Sequence, residues 1–237
     1  MTVLTLSSST PFAHGGNRLC FVHPHHPDRC IKVQRPDFTP ADRRRKKGGI
    51  KRLRPVRHFD DNLEDFRVYG RLQQRLGEQL TQHLPACYGF EQTDMGPGLV
   101  SELIRDDDGA ISQTLKYTLW REGDTSEHRH AIAALVHFWC EFCVPSRDLI
   151  LHNLVVQRRA DGGIRRIVVI DGLGAAGLVP FEWMPSSLQR RKVARKIDNL
   201  HHRVAALLKQ RAPGPLPGFH GDLIHRDIPQ HQGKRDV

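Results

Sequence analysis

At 237 residues the chain is long enough for one large domain or two small lobes, and its 38% hydrophobic and 26% charged residues are typical of a globular protein. No apolar run approaches the roughly 18 residues of a membrane span and the amino terminus lacks a secretory-signal pattern, so a cytoplasmic protein is expected. Five irregularly spaced cysteines indicate reduced thiols rather than a secreted disulfide framework, and the formal net charge of +10 suggests an anionic partner.

The first elements predict a small antiparallel hairpin. NRLCFVHP and RCIKVQ are rich in apolar and β-branched residues, and the proline-containing HPHHPD between them suits a turn. After a basic segment, apolar residues recur at helical spacing from Leu63 to Leu80, with Asp60 or Asp61 as a possible cap. YGFEQTD, MGPG and GLVSELI then predict strand, turn and strand.

The basic segment holds most of the net charge. Residues 41–57, ADRRRKKGGIKRLRPVR, carry nine Lys or Arg against the single Asp42, a net of +8, so the rest of the chain holds only +2. The cluster from Arg43 to Arg57 can bind nucleic acid or an anionic surface. A solvated basic loop without a dedicated ligand is the alternative.

The second half of the chain predicts a mostly helical lobe with one hairpin. A helix around ISQTLKYTLW precedes an apolar helix in SEHRHAIAALVHFWCEFCV, capped by Ser126, whose closing Cys140 and Cys143 are expected to be buried core thiols. LILHNLVVQRRADGGIRRIVVID predicts strand, turn and strand, and a last helix runs through SSLQRRKVARKIDNLHHRVAALLKQR. The Pro/Gly/His-rich tail from residue 212 is expected to be disordered.

Two stretches place an Asp after a polar or basic residue, as phosphate-transferring enzymes often do: SRDLILHN, with Asp148, and HGDLIHRD, with Asp222. Phosphoryl transfer needs a group that orients the attacking hydroxyl, oxygen ligands for Mg²⁺, and a cation on the phosphates. Asp148 is followed by Asn153 and then by a hairpin that ends in Asp171, whereas the chain ends soon after Asp222. The pattern favours the Asp148 loop, although the second stretch echoes the catalytic loop of aminoglycoside phosphotransferases.

In this order the elements resemble a small protein-kinase-like fold, and specifically the YrbL family, described as PhoP regulatory network proteins. The resemblance covers roughly residues 10–195. It is carried by PFAHGGNRLCFVHPHHPDRCIKV, VYGRLQQRLG, YGFEQTDMGPGLVSELI, LILHNLVV, VVIDGLG and LVPFEWM. It implies a bacterial protein with a two-lobed α+β fold, in which residues 1–104 form a small antiparallel-sheet lobe and residues 105–211 a compact, mostly helical lobe.

The resemblance also implies a site for ATP and Mg²⁺. Lys32 in CIKV matches the strand lysine that holds the nucleotide phosphates, and either Glu64 or Asp65 on the next helix would be its partner. The other implied roles are a nucleotide-covering turn at Gly15 and Gly16, adenine contacts from the backbone of Glu102, Leu103 and Ile104, a catalytic base at Asp148, and Mg²⁺ ligands at Asn153 and Asp171.

Several positions depart from the kinase pattern. Only Gly15 and Gly16 remain of the usual three glycines, Ser146 stands where kinases often have His, and Ile150 replaces a Lys that commonly reaches the transferred phosphate. The metal motif reads DGLG and lacks the familiar Phe. Three functions therefore stay open: a kinase for a small-molecule or lipid-linked hydroxyl, a regulatory pseudokinase without turnover, and a nucleic-acid or anionic-surface binding protein acting through residues 43–57.

Overall fold

The structure is a computed structural model that describes residues 3–37, 39–46, 55–174, 180–214 and 216. Its strands are β1 (Ala13–His14), β2 (Arg18–Val22), β3 (Arg29–Gln34), β4 (Cys87–Thr93), β5 (Gly96–Glu102), β6 (Gln113–Thr114), β7 (Leu154–Arg158) and β8 (Ile164–Val169). Its α-helices are α1 (Pro40–Lys46), α2 (Asp61–Leu76), α3 (Leu115–Glu122), α4 (Ser126–Glu141) and α5 (Ser186–Gln210). Short 3₁₀ helices lie at Val56–Phe59, Gly77–Gln82, Leu151–Asn153 and Phe181–Trp183.

Five antiparallel strands form the first lobe in the order β1-β2-β3-β5-β4. Because side chains alternate along a strand, Ile31 and Val33 enter a core with Phe21 and Val100, while Lys32 between them faces the opposite side. The two predicted hairpins are both present. The sheet therefore presents Lys32 to the second lobe.

A close approach of two strands explains one glycine in this sheet. A Cβ atom at Gly98 of β5 would lie 2.4 Å from Ile31 Cγ2 of β3. No real pair of carbon atoms approaches so closely, so a side chain at this position would push β3 and β5 apart. Glycine lets these central strands pack around Ile31.

Helix α2 joins the two lobes. Of the two candidate caps, Asp60 is the one that accepts a hydrogen bond from the Leu63 N–H, at 3.2 Å. The α-helix ends at Leu76 instead of continuing to Leu80, since Gly77 adopts a φ of +56° and a 3₁₀ turn follows. The inward face of α2, including Val68 and Leu72, packs in the core of the second lobe.

The second lobe packs α3, α4 and α5 against the sheet β6-β7-β8. Thr125, and not the predicted Ser126, caps α4 by accepting a hydrogen bond from the His128 N–H. The expectation of buried thiols at the end of α4 is wrong: Cys140 is exposed and Cys143 is half-buried. Phe138 and Trp139 occupy the core positions of that turn instead.

The chain stays packed beyond the predicted lobe boundary at residue 211. The Trp120 indole N–H donates to the Gly214 carbonyl at 2.9 Å, and Leu216 is buried in the same core as Leu119. Residues 217–237, which include HGDLIHRD, lie outside the described residues, as do residues 47–54 of the basic segment.

These elements confirm the predicted two-lobed α+β architecture, with a small antiparallel sheet followed by a mostly helical lobe. Within the described ranges, no helix is both long and apolar enough to cross a membrane.

Candidate functional site

A cavity of about 230 Å³ is lined by residues of both lobes. Most of the residues that the sequence assigned to a nucleotide site lie in its wall. They are Gly15, Gly16, Lys32, Glu102, Leu103, Ile104, Asn153 and Asp171. The three other candidates, Glu64, Asp65 and Asp148, do not line it. The fold thus gathers most, but not all, of the predicted site in one cleft.

Part of the cavity wall is apolar and is called the apolar slot below. Cys30 lines it from the first lobe, and Val155 and Ile170 line it from the second. Beside the slot, the Leu103 N–H donates to the Asp28 carbonyl at 2.8 Å, and the Ile104 carbonyl accepts from the Ser112 N–H at 3.0 Å. The apolar walls suit a flat aromatic base. The Leu103 N–H is already paired with Asp28 and is not a free donor for such a base.

Lys32 lies between this slot and a group of charged residues. Its Nζ donates to the Ile170 carbonyl at 2.5 Å, and the residue is buried with 8% relative exposure. In the part of the chain that the structure describes, Lys32 forms no ion pair within 4.0 Å. The expected pairing of Lys32 with Glu64 or Asp65 is therefore absent in this conformation.

Arg18 of β2 takes the ion-pair position that was expected for the lysine. Its Nη1 donates to Asp65 Oδ2 at 2.7 Å and to Asn62 Oδ1 at 2.9 Å, and its Nη2 forms an ion pair with Asp171. The Arg18 side chain is 5% exposed. A buried guanidinium therefore links α2 of the first lobe to the end of β8.

Arg147 extends the same charged group on the side of the Asp148 loop. Its guanidinium pairs with Asp61 and donates to Asp65 Oδ1 at 3.0 Å, and its Nη2 lies 4.0 Å from Asp171 Oδ1. Together with Arg18 and Lys32, it surrounds these three carboxylates with cations.

Burial and these charges shift the pKa values of the two inner carboxyls in opposite directions. Burial raises the pKa of Asp65 despite the nearby Arg18 and Arg147. Burial also acts to raise the pKa of Asp171, but the charges of Arg18, Lys32 and Arg147 outweigh it and lower that pKa. Asp171 is therefore ionised at neutral pH.

Backbone hydrogen bonds hold Asp171 next to the loop that carries Asp148. The Arg147 N–H donates to the Gly172 carbonyl at 2.8 Å. Gly172 has a φ of +89°, and a Cβ on it would lie 3.1 Å from the Asp148 carbonyl oxygen. The glycine after Asp171 therefore permits both the turn and the close contact.

Asn153 and Asp171, the two metal-ligand candidates, lie on the same wall of the cavity. The Ile170 N–H donates to the Asn153 carbonyl at 2.9 Å, and both side chains line the cavity. Amide and carboxylate oxygens suit Mg²⁺ when phosphate oxygens and waters complete the coordination shell. The contacts of Asp171 with Arg18 and with the Gly172 N–H both involve Oδ1. The donor types fit Mg²⁺, with Arg18 competing for one carboxylate oxygen.

The two α2 candidates have different environments. Asp65 is buried and turned toward Arg18 and Arg147. Glu64 is half-buried and its Oε1 lies against Gly174, where a Cβ would be only 2.7 Å away. Of the two, Asp65 is the residue that faces the charged group formed with Arg18 and Arg147.

Asp148 is held away from the cavity by α5. Arg203 donates to it from both terminal nitrogens, Nη1 to Oδ1 at 3.0 Å and Nη2 to Oδ2 at 2.7 Å. Lys196 Nζ lies 4.0 Å from Asp148 Oδ1. This bidentate contact uses one lone pair of each carboxylate oxygen and holds the Asp148 side chain toward α5, so it would have to turn toward the cavity to take a proton from a substrate hydroxyl there.

The family model described as PhoP regulatory network protein YrbL matches residues 4–205. The chain belongs to this family. Proteins named YrbL from Escherichia coli (strain K12) and from Shigella flexneri are each 26% identical to it over 182 residues, which cover 76% of this chain and 77% of the relative. The family resemblance drawn from the sequence is confirmed.

One solved structure is similar over a larger share of the chain. It is Rad53 1–466, crystallised in complex with AMP-PNP, and it matches 88% of this chain with a TM-score of 0.47 and 12% sequence identity. The chain spans about half, 48%, of the length of that structure.

In this family member, the sequence did not reveal three arginines of the site. Arg147 carries a signal, because it precedes Asp148 in the SRD motif. Arg18 shares the inward face of β2 with Cys20, so strand alternation could have placed it in the cleft. Arg203 carries no such signal, since its contact with Asp148 spans 55 positions.

Two thiols also lie at the cleft. Cys20 of β2 is directly opposite Lys32 of β3, and Cys30 lies on the same face two residues earlier. A hydrogen bond from the Cys30 thiol, together with the charges of Lys32 and Arg18, lowers the pKa of Cys20 to about 7 despite its burial. Burial and the Cys20 contact raise the pKa of Cys30.

Proposed function

We propose that the chain is a kinase-like protein that binds ATP with Mg²⁺ in the cleft between its lobes. The observation that carries this proposal is the convergence of Lys32, Asn153 and Asp171 on one cavity that also has an apolar slot. An adenine base would lie between Cys30 and Val155, next to the Leu103 and Ile104 backbone. The phosphates would then extend toward Lys32.

The residues of the cleft have distinct tasks in this proposal. Lys32 would leave the Ile170 carbonyl and donate to phosphate oxygens, while Gly15 and Gly16 would let the β1–β2 turn approach the nucleotide closely. Asn153 and Asp171 would hold Mg²⁺, which would neutralise charge on the phosphates and orient them.

The proposed reaction transfers the terminal phosphoryl group to a hydroxyl of a small or lipid-linked acceptor in the cytoplasm. The hydroxyl oxygen would bond to the terminal phosphorus as the bond from that phosphorus to the bridging oxygen of ADP breaks. Asp148 would orient the hydroxyl and take its proton. This step requires Arg203 to release the Asp148 carboxylate.

A regulatory pseudokinase is the second candidate, and the Asp148–Arg203 contact favours it. In that function the cleft would bind nucleotide and change conformation, but no phosphoryl group would leave ATP. Arg18 supports the same candidate, since its ion pair with Asp171 opposes metal binding at Oδ1. Turnover separates the two candidates, whereas nucleotide binding is common to both.

The first test is the melting temperature with and without ATP and Mg²⁺, for the wild type and for Lys32→Ala and Asp171→Asn. The proposal expects a Mg²⁺-dependent rise in the wild type that both variants lose, because a ligand stabilises the state that binds it. Lys209→Ala and Asp161→Asn are matched controls on exposed positions and should keep the rise.

Phosphate release and ADP formation are followed in the same samples. Turnover together with the melting shift supports the kinase. A shift without turnover supports the pseudokinase if turnover also stays absent when small hydroxyl compounds and lipid-linked hydroxyl acceptors are added. If the wild type shows no shift, the nucleotide proposal is wrong. The basic segment 43–57 would then be tested for salt-sensitive binding of nucleic acid or an anionic surface.

A further inference from the structure

The start of α5 and the turn before it expose a large aromatic side chain. Trp183 is 79% exposed, and Leu188 in the first turn of α5 is 47% exposed. Phe181, two residues before the tryptophan, is buried and fixes the turn to the second lobe. The other two tryptophans, Trp120 and Trp139, are buried. The exposed indole is therefore a local feature with no partner in the described part of the chain.

Three basic side chains lie beside this indole. Arg191, Lys192 and Arg195 follow Leu188 at spacings of three, four and seven, which places all four on one stripe of α5. They line one shallow hollow with Trp183 and with the acidic Asp198.

The stripe faces solvent, and its cations are not neutralised by the protein. Val193, Ile197 and Leu200 form the buried face of α5 and pack in the core of the second lobe. Among the residues that the structure describes, none of the three stripe cations forms an ion pair within 4.0 Å, whereas Arg203 further along the same helix does. An unpaired basic stripe around an exposed indole favours an anionic partner.

We propose that Trp183, Leu188, Arg191, Lys192 and Arg195, together the α5 surface, dock on a bilayer that contains anionic lipids. Indole rings prefer the membrane interface, where the apolar body enters the acyl boundary and the N–H stays with polar groups. Basic residues around it are attracted to anionic headgroups. An acidic protein could use the same cations and the same indole, and the test below separates it from a bilayer.

Helix α5 also contacts the loop of the proposed reaction. Lys196, next to Arg195, donates to the Arg147 carbonyl, and Arg203 holds Asp148. In a protein docked through the α5 surface, one helix would therefore contact both the membrane and the proposed catalytic loop. This step rests on the proposed function and narrows the acceptor to a lipid or lipid-linked hydroxyl.

The test is cosedimentation of the full chain with vesicles of phosphatidylcholine and phosphatidylglycerol in equal parts, with no nucleotide present. Binding is expected, and pure phosphatidylcholine vesicles should bind far less. Because Trp120 and Trp139 are buried, a blue shift of tryptophan emission on adding anionic vesicles would report Trp183. Vesicle binding needs no nucleotide, so its failure is separate from failure of the ATP proposal.

Two variants locate the contact. Trp183→Ala should lose the emission shift and weaken binding. Arg191→Gln/Lys192→Gln/Arg195→Gln should weaken binding on the order of 100-fold, from the attraction of three basic residues to an anionic surface. The matched control, Lys51→Gln/Arg52→Gln/Arg54→Gln, removes the same charge from the basic segment and should keep most of the binding.

Three results would overturn the proposal. The first is no binding of the wild type to anionic vesicles. The second is loss of binding in the basic-segment control but not in the α5 variant, which would assign membrane contact to that segment. The third is Trp183-dependent binding to polyglutamate but not to vesicles, which would indicate an acidic protein partner. Unchanged melting temperatures would show that each variant is folded.

Discussion

Replacing Arg18 with methionine tests whether the buried ion pairs of the cleft hold the two lobes together. The variant keeps a side chain of similar length but leaves Asp65 and Asp171 without the guanidinium that lies 2.7 Å from Asp65 Oδ2. Removing one partner of a buried ion pair costs about 3–5 kcal/mol. Arg147 still reaches Asp65 at 3.0 Å, so the loss should lie near the lower end, about 3 kcal/mol.

The free energy of unfolding is measured by urea denaturation at neutral pH. A second substitution, Asp65→Asn, removes the stranded charge, so Arg18→Met/Asp65→Asn should be more stable than Arg18→Met alone, with a coupling of about 1–3 kcal/mol. Arg129→Met is the matched control, since that arginine is 59% exposed and its pair with Asp124 should contribute less than about 1 kcal/mol.

The free energy of unfolding lost in Arg18→Met should also depend on pH. Among the charges that lower the pKa of Asp171, Arg18 contributes most, so this carboxylate stabilises the fold above its unfolded pKa of about 3.9 and less below it. The difference between wild type and Arg18→Met should therefore be largest at neutral pH and narrow as the pH falls below about 4. If Arg18→Met lowered the free energy of unfolding by less than about 1 kcal/mol, or by an amount independent of pH, the ion pairs of Arg18 would not stabilise the fold as argued here.

Three further predictions follow from single contacts. Arg203→Met should change stability by less than about 1 kcal/mol, because the pair is partly exposed, but should raise any ADP-forming rate by releasing Asp148; an unchanged rate would contradict an inhibitory role for this contact. The rate at which iodoacetamide alkylates Cys20, followed by mass spectrometry, should reach half its maximum near pH 7 and should fall when ATP is bound. Faster labelling at Cys140 than at Cys20 would contradict the lowered pKa of Cys20. Gly98→Ala should lower the free energy of unfolding by about 1–3 kcal/mol by overpacking against β3, and a melt like that of the wild type would show that the strands can shift.

The strands and the order of the site were predictable because they depend on local patterns. Short runs of apolar and β-branched residues specify β2, β3, β7 and β8, and side-chain alternation within β3 then decides which face Lys32 takes. Asn153 and Asp171 flank one hairpin, so pairing of its strands brings their backbones together. Local sequence therefore predicts the wall of the cavity.

The charges of the cleft were not predictable in the same way, because they are set by contacts between distant segments. Arg18 meets Asp65 and Asp171 only after the sheet, α2 and the second lobe have packed. Thr125 rather than Ser126 caps α4 because capping depends on the backbone angles of a single residue. Two neighbouring residues of similar chemistry cannot be distinguished in this respect from the sequence. The sequence favoured Lys32 as the ion-pair partner of a carboxylate on α2. In the structure, Arg18 forms that ion pair with Asp65.

The charge balance of the cleft gives a reason to expect a cation to enter with the nucleotide. Around Asp171, the cations Arg18, Lys32 and Arg147 face the carboxylates of Asp61 and Asp65 as well as that of Asp171, so the cluster is close to neutral before any ligand binds. A nucleoside triphosphate would add several negative charges to this partly buried cleft, which is costly without compensation. Mg²⁺ at Asn153 and Asp171 would supply it. Lys32 would then have to exchange the Ile170 carbonyl for phosphate, and this exchange makes nucleotide affinity depend on both lysine and metal.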